Sequence, residues 1–285
     1  MKQRCAGVPP TILITVLSQL PLLMDLRLKG APANSIPTIL SFLPNLQSLD
    51  TEYLLSGSGS YYSRPRVYLP STEDDDEDDT EAKEPPLPVL RHLTVRTSSM
   101  DNFGPHKLWR WIRELVPRPG LETFRLHAFT FNMGYTGIPR MFVLDLAVAH
   151  GDSLKHFIVG EASLTLKDIE CLCSKFPKLE TIVCSVASAD VVSVMYLLSR
   201  IFIYFSQDSI IEAIAGARNL QTLKIQVQWI PNGGMQSRGP VFTLADAMRM
   251  MRRTEESKIR TIAIGRFQYT VCLFPSFSSA FNRRV

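Results

Sequence analysis

One apolar pattern recurs along this chain and limits what it can fold into. A helical apolar stretch, often closed by Pro, is followed one residue later by L-x-x-L-x-L. The copies begin at Leu23-x-x-Leu26-x-Leu28, Leu46-x-x-Leu49-x-Thr51, Leu90-x-x-Leu93-x-Val95 and Leu121-x-x-Phe124-x-Leu126. They continue at Leu154-x-x-Phe157-x-Val159, Leu179-x-x-Ile182-x-Cys184, Leu220-x-x-Leu223-x-Ile225 and Ile259-x-x-Ile262-x-Ile264. Five of the eight carry Pro two residues before the first apolar position, at Pro21, Pro44, Pro88, Pro119 and Pro177.

Pro cannot continue a helix, and the alternation after it suits a short strand with one side chain in two facing a core. One such unit cannot bury both its helix and its strand, so units must stack. The expected fold is an α/β solenoid of about eight irregular units, with parallel strands on the concave face and helices on the convex face. It runs over residues 8–270, followed by a tail at 271–285. Cap residues agree with this phase. Asp208 precedes Ile210-Ile211-x-x-Ile214 and Thr243 precedes Leu244-Ala245, as side-chain caps at helix starts.

Phe176-Pro177-Lys178-Leu179-Glu180-Thr181-Ile182 and Leu43-Pro44-Asn45-Leu46-Gln47-Ser48-Leu49 resemble the C-terminal repeats of divergent fungal F-box proteins. These belong to the irregular, ribonuclease-inhibitor-like leucine-rich-repeat solenoids. The resemblance covers most of residues 8–270 and lacks the usual Asn ladder after the strand. It implies a protein-binding module that recognises substrates for a ubiquitin ligase, with the adaptor subunit of a cullin ligase as a further partner. Val8-Pro9-Pro10-Thr11-Ile12-Leu13, Leu17-Ser18-Gln19-Leu20-Pro21 and Asp25-Leu26 also resemble the first half of an F-box. No Cys or Trp of its second half follows between Lys29 and Ser60, and Pro10-Thr11-Ile12-Leu13 matches Pro37-Thr38-Ile39-Leu40 of the next unit. Two readings therefore stand: a substrate-recognition part of an F-box-like adaptor, and a stand-alone interaction scaffold.

The intervals between first positions are 23, 44, 31, 33, 25, 41 and 39 residues. Units of this class run to about 20–29 residues, so the long intervals hold insertions. The 44-residue interval contains Ser56-Gly57-Ser58-Gly59-Ser60 and nine acids with one lysine between Glu73 and Glu84, a local charge of −8. Residues 56–86 are expected to be disordered by composition. With a net charge of +4, the rest of the chain carries +12. The acid run can be a solubilising tract or a regulatory one that competes for a basic face, with Ser71 and Thr72 placed for an acidophilic kinase. The 41-residue interval contains an apolar block at 192–207 outside the repeat phase, and removing its 16 residues restores an interval of 25. It reads either as a retained intron or as an extra buried helix.

Five Cys without paired spacing fit a reducing compartment, hence a cytoplasmic or nuclear protein. The start can pass for a short signal peptide, but Pro9-Pro10 interrupts it and no small-residue cleavage site follows. The block around Val192 is shorter than the ~20 residues a bilayer requires and contains Arg200. No membrane association is expected.

In each strand, the side chains flanking the inward apolar ones face the concave surface. These include His92, Arg96, Arg125, His127, His156 and Lys224, the candidate partner-binding residues. Arg offers bidentate contacts and His a pH-dependent charge, which suits an acidic or phosphorylated protein partner. The plainer alternative is a solvated strand surface. Catalytic, cofactor and metal constellations are missing from the sequence: Cys171-x-Cys173 lies on a helical stretch with no second Cys/His pair at zinc spacing. Nor is there a phosphate-cradling Gly loop, a nucleophile elbow or a paired-His helix. The chain is not expected to be an enzyme, and no aromatic-basic motif supports nucleic-acid binding. Trp109 and Trp111, on an amphipathic helix, are expected to pack.

Overall fold

Each strand starts at the same step of the repeat, and one backbone link joins it to the next. The residue after the first apolar position lends its carbonyl to two N–H groups of the following unit. Met24 accepts from Gln47 and Ser48, Gln47 from Arg91 and His92, and Arg91 from Glu122 and Thr123. Glu122, Lys155, Glu180 and Gln221 repeat the bond to the units after them, all at 2.7–3.0 Å. The computed structural model describes residues 9–54, 87–97, 105–128, 137–187, 192–197, 200–205, 207–228, 242–272 and 280–284.

Strands β1 (Asp25–Leu28), β2 (Ser48–Glu52), β3 (His92–Thr97), β4 (Thr123–Ala128), β5 (His156–Leu164), β6 (Thr181–Ala187), β9 (Thr222–Gln228) and β10 (Thr261–Ile264) pair in parallel, in chain order. Their middle apolar residues form one row: Leu26, Leu49, Leu93, Phe124, Phe157, Ile182, Leu223 and Ile262. From Leu49 onward this row is buried, as is the next inward position from Leu28 to Ile264. The side chains between them are mostly part-exposed. One face of the sheet is therefore covered and the other open. The coarse expectation of an α/β fold with parallel strands and helices holds.

The covering layer is helical: α1 (Pro10–Leu17), α2 (Ile36–Leu40), α3 (Pro105–Leu115), α4 (Arg140–His150), α5 (Leu166–Lys175), α6 (Gln207–Ala213) and α7 (Leu244–Met251). Contacts join α1 to α2, and α3 through α7 each to the next. Thr165 and Thr243 cap α5 and α7 in reciprocal capping boxes with Asp168 and Asp246. Asp208 corrects the cap expectation. It lies inside the first turn of α6, where an acid favours the helix dipole, and it pairs with Arg249 of α7 at 2.7 Å.

Ties both inside the core and at its surface lock units to each other. Trp111 Nε1–H donates to the Ala33 carbonyl at 2.7 Å and its ring meets Tyr53, so the Trp side chains of α3 pack as expected. Phe124 stacks against Phe157 and Phe142, with centroids 5.6 and 5.7 Å apart. Asn45 and Asn219, just before their first Leu, donate to the Pro21 and Pro177 carbonyls of the preceding unit. At the strand entrances Arg91, Glu122 and Lys155 alternate in sign, with Glu122 contacted by both cations at 3.6 and 2.7 Å. Part-exposed pairs of this kind are worth about 0–1 kcal/mol, so they help set register more than stability.

Two sequence expectations need correction. The described residues of the 192–207 block form strands up to Phe205 in place of the expected extra helix. β7 (Val192–Leu197) and β8 (Arg200–Phe205) form an antiparallel hairpin in a sheet of their own, and α6 begins at Gln207. β6 pairs directly with β9 over seven residues, so the main sheet passes the block without a break. The block is rich in β-branched and aromatic residues, a composition that favours strands. The tail is the second correction. After a turn at Gly265, where φ is +58°, β11 (Phe267–Cys272) returns antiparallel to β10 and β12 (Ala280–Arg284) pairs with β11. The sheet thus extends past residue 270. The acid run with Ser71 and Thr72 lies outside the described residues.

His150, at the end of α4, is 2% exposed. Its Nδ1 accepts from Leu121 N–H at 3.4 Å, which leaves the proton on Nε2 to be donated to the Val116 carbonyl at 3.1 Å. Burial holds its pKa below the ordinary 6.5. The unfolded chain therefore takes up this proton first. Stability from neutral His150 is full above about pH 6.5 and is lost as pH falls toward the folded value. The thermal midpoint is expected to drop between pH 7.5 and pH 5.5, and less so in His150→Gln, as followed by circular dichroism. Phe124→Ala is expected to cost about 3–5 kcal/mol in denaturant unfolding. Val148→Ser, at a side chain 91% exposed, should stay within about 0.5 kcal/mol.

Candidate partner-binding face

The open face follows from strand alternation: residues between the buried apolar ones emerge on the uncovered side in register. Its first row runs Asp25, Ser48, His92, Thr123, His156, Thr181, Thr222 and Thr261. The second runs Arg27, Asp50, Thr94, Arg125, Ile158, Val183, Lys224 and Ala263. A shorter third row holds Glu52, Arg96 and His127. His92, Arg96, Arg125, His127 and His156 thus lie together on three adjacent strands. Lys224 stands apart, with β6 between its strand and β5, three strand spacings or about 14 Å from Arg125.

Charge on this face is less positive than the sequence suggests. Arg96 grips Asp50 with two bonds, Nε to Oδ1 at 2.7 Å and Nη2 to Oδ2 at 2.9 Å, and Arg27 Nε approaches Oδ2 at 3.3 Å. The Arg96 hydrogen bond holds the Asp50 carboxyl below the usual carboxylate range, despite the opposing effect of burial. Arg96 therefore comes to the face already partnered. Burial, and then the Arg96 charge, hold His127 below the ordinary imidazole value. Arg125 is exposed and forms no ion pair with a described residue.

The first row offers mostly hydroxyl and imidazole groups instead. His92 Nδ1 lies 3.1 Å from Thr123 Oγ1, and His156 Nδ1 lies 3.1 Å from Thr181 Oγ1. Both imidazoles lean toward the following strand, and Thr222, Thr261 and Thr270 extend the hydroxyl row. The candidate list from sequence omitted these threonines and Asp50. The signal was present, since Thr or His fills the slot before the second apolar position in six of eight units.

Cys171, Cys173 and Cys184 are buried free thiols, and burial pushes Cys173 and Cys184 up to about 12, where a thiolate nucleophile or ligand is disfavoured. Among the described residues no three His, Cys, Asp or Glu side chains gather as they would to hold a metal, and no helix is long and apolar enough to cross a membrane. No protein-family model and no curated protein matches this chain.

Removing the Arg96 charge, as in Arg96→Gln, leaves Asp50 less compensated and frees His127 from a neighbouring cation. Both changes favour the imidazolium. The His127 pKa is expected to rise in the variant, read from its ring proton shifts in an NMR titration, with His150 unmoved as the internal reference.

Proposed function

We propose that this chain is a leucine-rich-repeat solenoid that binds a protein partner through the open face of its sheet. In this reading it serves as the substrate-recognition part of an F-box-like ubiquitin-ligase adaptor. The observation that carries the binding role is the alternation itself. Eight strands turn their apolar rows to one side and leave on the other a mostly polar surface, interrupted by Ile158, Val183 and Ala263, whose backbone is held by the sheet hydrogen bonds. Rigid side chains lose little conformational freedom when a partner docks, which favours recognition by such a face. Arg125 and Lys224 supply charge for an acidic or phosphorylated segment, while the His92 and His156 row supplies hydrogen bonds. The chain makes and breaks no bond; ubiquitin transfer would belong to other subunits.

A stand-alone scaffold is the second reading, and one observation favours it. The F-box-like residues serve the first repeat: Pro10–Leu17 is a single helix and Asp25–Leu28 pairs with β2. Titration of the purified chain with the adaptor subunit of cullin ligases, read by calorimetry, separates the two. Saturable binding supports the ubiquitin role, and its absence in a chain with the complete natural N-terminus supports the scaffold. The binding face is tested with a library of acidic and phosphoserine peptides. Arg125→Glu combined with Lys224→Glu is expected to weaken the best ligands by about tenfold or more, roughly 1.4 kcal/mol. Equal binding by the double variant would move the contact surface elsewhere.

A further inference from the structure

The two edges of the main sheet differ. At one end the chain turns back on itself through β11 and β12, and that edge strand carries Arg283 and Arg284, charges of the kind that keep an edge from pairing. At the other end β1 has β2 on one side and no strand on its outer side among the described residues. Around β1 the first unit exposes Ile12 and Val16 of α1, Leu20, Leu22 and Met24, with Leu22 81% exposed. Stacked units require a polar outer face at their ends, and this end is apolar.

The backbone of β1 says which groups are free. Met24 turns its carbonyl to β2, where it accepts from Gln47 and Ser48. By alternation Leu26 and Leu28 also face β2, so Asp25 and Arg27 present their N–H and C=O groups to the open edge. An antiparallel partner strand would exchange paired hydrogen bonds with those two residues. If that partner is the same strand of a second copy, three registers satisfy the alternation, centred on Asp25, Leu26 or Arg27. The first opposes Asp25 to Asp25 and the third Arg27 to Arg27. Only the middle one sets Asp25 against Arg27 twice, with both hydrogen-bonded pairs oppositely charged and Leu26 facing Leu26. Asp25 forms no ion pair with a described residue, so its charge is free for this contact.

We infer that β1 is a homodimerisation edge: two copies join their sheets antiparallel across a two-fold axis at Leu26, with Asp25 of each paired to Arg27 of the other. A two-fold axis normal to the joined sheet keeps both helical layers on one side. The two α1 helices then meet there, which covers Ile12 and Val16, and Met24 comes opposite Leu28.

Sedimentation equilibrium of the full chain across the micromolar range tests this. The wild type is expected at twice 32.1 kDa. Asp25→Arg sets Arg against Arg, Arg27→Glu sets acid against acid, and each variant alone is expected to fall to the monomer mass. An equimolar mixture restores both opposite pairs and is expected to return to the dimer mass. That recovery also shows that both variants fold, since neither could pair otherwise. A wild type monomeric throughout would overturn the proposal, as when residues 1–8 or a different protein covers β1. A dimer indifferent to Asp25→Arg, or variants whose mixture stays monomeric, would overturn it equally.

Discussion

The carbonyl that each unit lends to the next is the constraint on which the rest of the structure depends. A strand of four to nine residues cannot satisfy its own backbone, and burying unpaired amide groups is costly. Each unit therefore needs its neighbour in register, and register fixes everything above it. It puts Phe124 beside Phe157 in the core and Arg96 within reach of Asp50 on the open face. A slip by one residue would turn the Leu, Phe and Ile rows outward and the Arg and His rows into the core.

The same constraint explains how the chain tolerates so much extra sequence. The link joins strand entrances and is indifferent to the length of chain between them, since closing a longer loop costs little more than closing a short one. β6 meets β9 across the β7–β8 hairpin in the same register that its neighbours use, and β2 meets β3 across the 44-residue interval. Insertions accordingly leave the ladder unchanged. The ends of the ladder are where its requirements go unmet, and they are met differently. One is folded back as an antiparallel hairpin, and the other has no further strand beside it among the described residues, next to exposed apolar side chains.

Much of this was legible in the repeats. Strand positions, the inward and outward assignment of each side chain, and the Thr243 cap follow from spacing and alternation, which are local and periodic. Asp208 moved from cap to first turn, an error of one or two residues at a helix boundary where propensity is weakest. The hairpin at 192–205 and the strands beyond residue 267 escaped because a short apolar run carries no period that separates strand from helix. Strand alternation puts Asp50 on the open face, but it does not show Asp50 as the partner of Arg96. The two are 46 residues apart in the chain and meet only because β2 and β3 are neighbours. The signal for His150 was weaker still, because nothing in the order of residues says that one of five histidines ties the end of α3 at Val116 to Leu121 ahead of β4.

The sequence by itself determined the unit: which residues make a strand, which side of it is apolar, and how often the unit recurs. It could do so because those properties depend on chain geometry within about 20–30 residues. The tertiary structure decided the net charge of the open face, the protonation preferences of His127 and His150, and the contrast between the closed and open ends of the sheet. Each of these depends on distances between residues far apart in the chain. The +12 that remains outside the acid run is a property of composition. How much of it a partner would meet is a property of packing, since Asp50 already holds Arg96 and burial keeps His127 from charging readily.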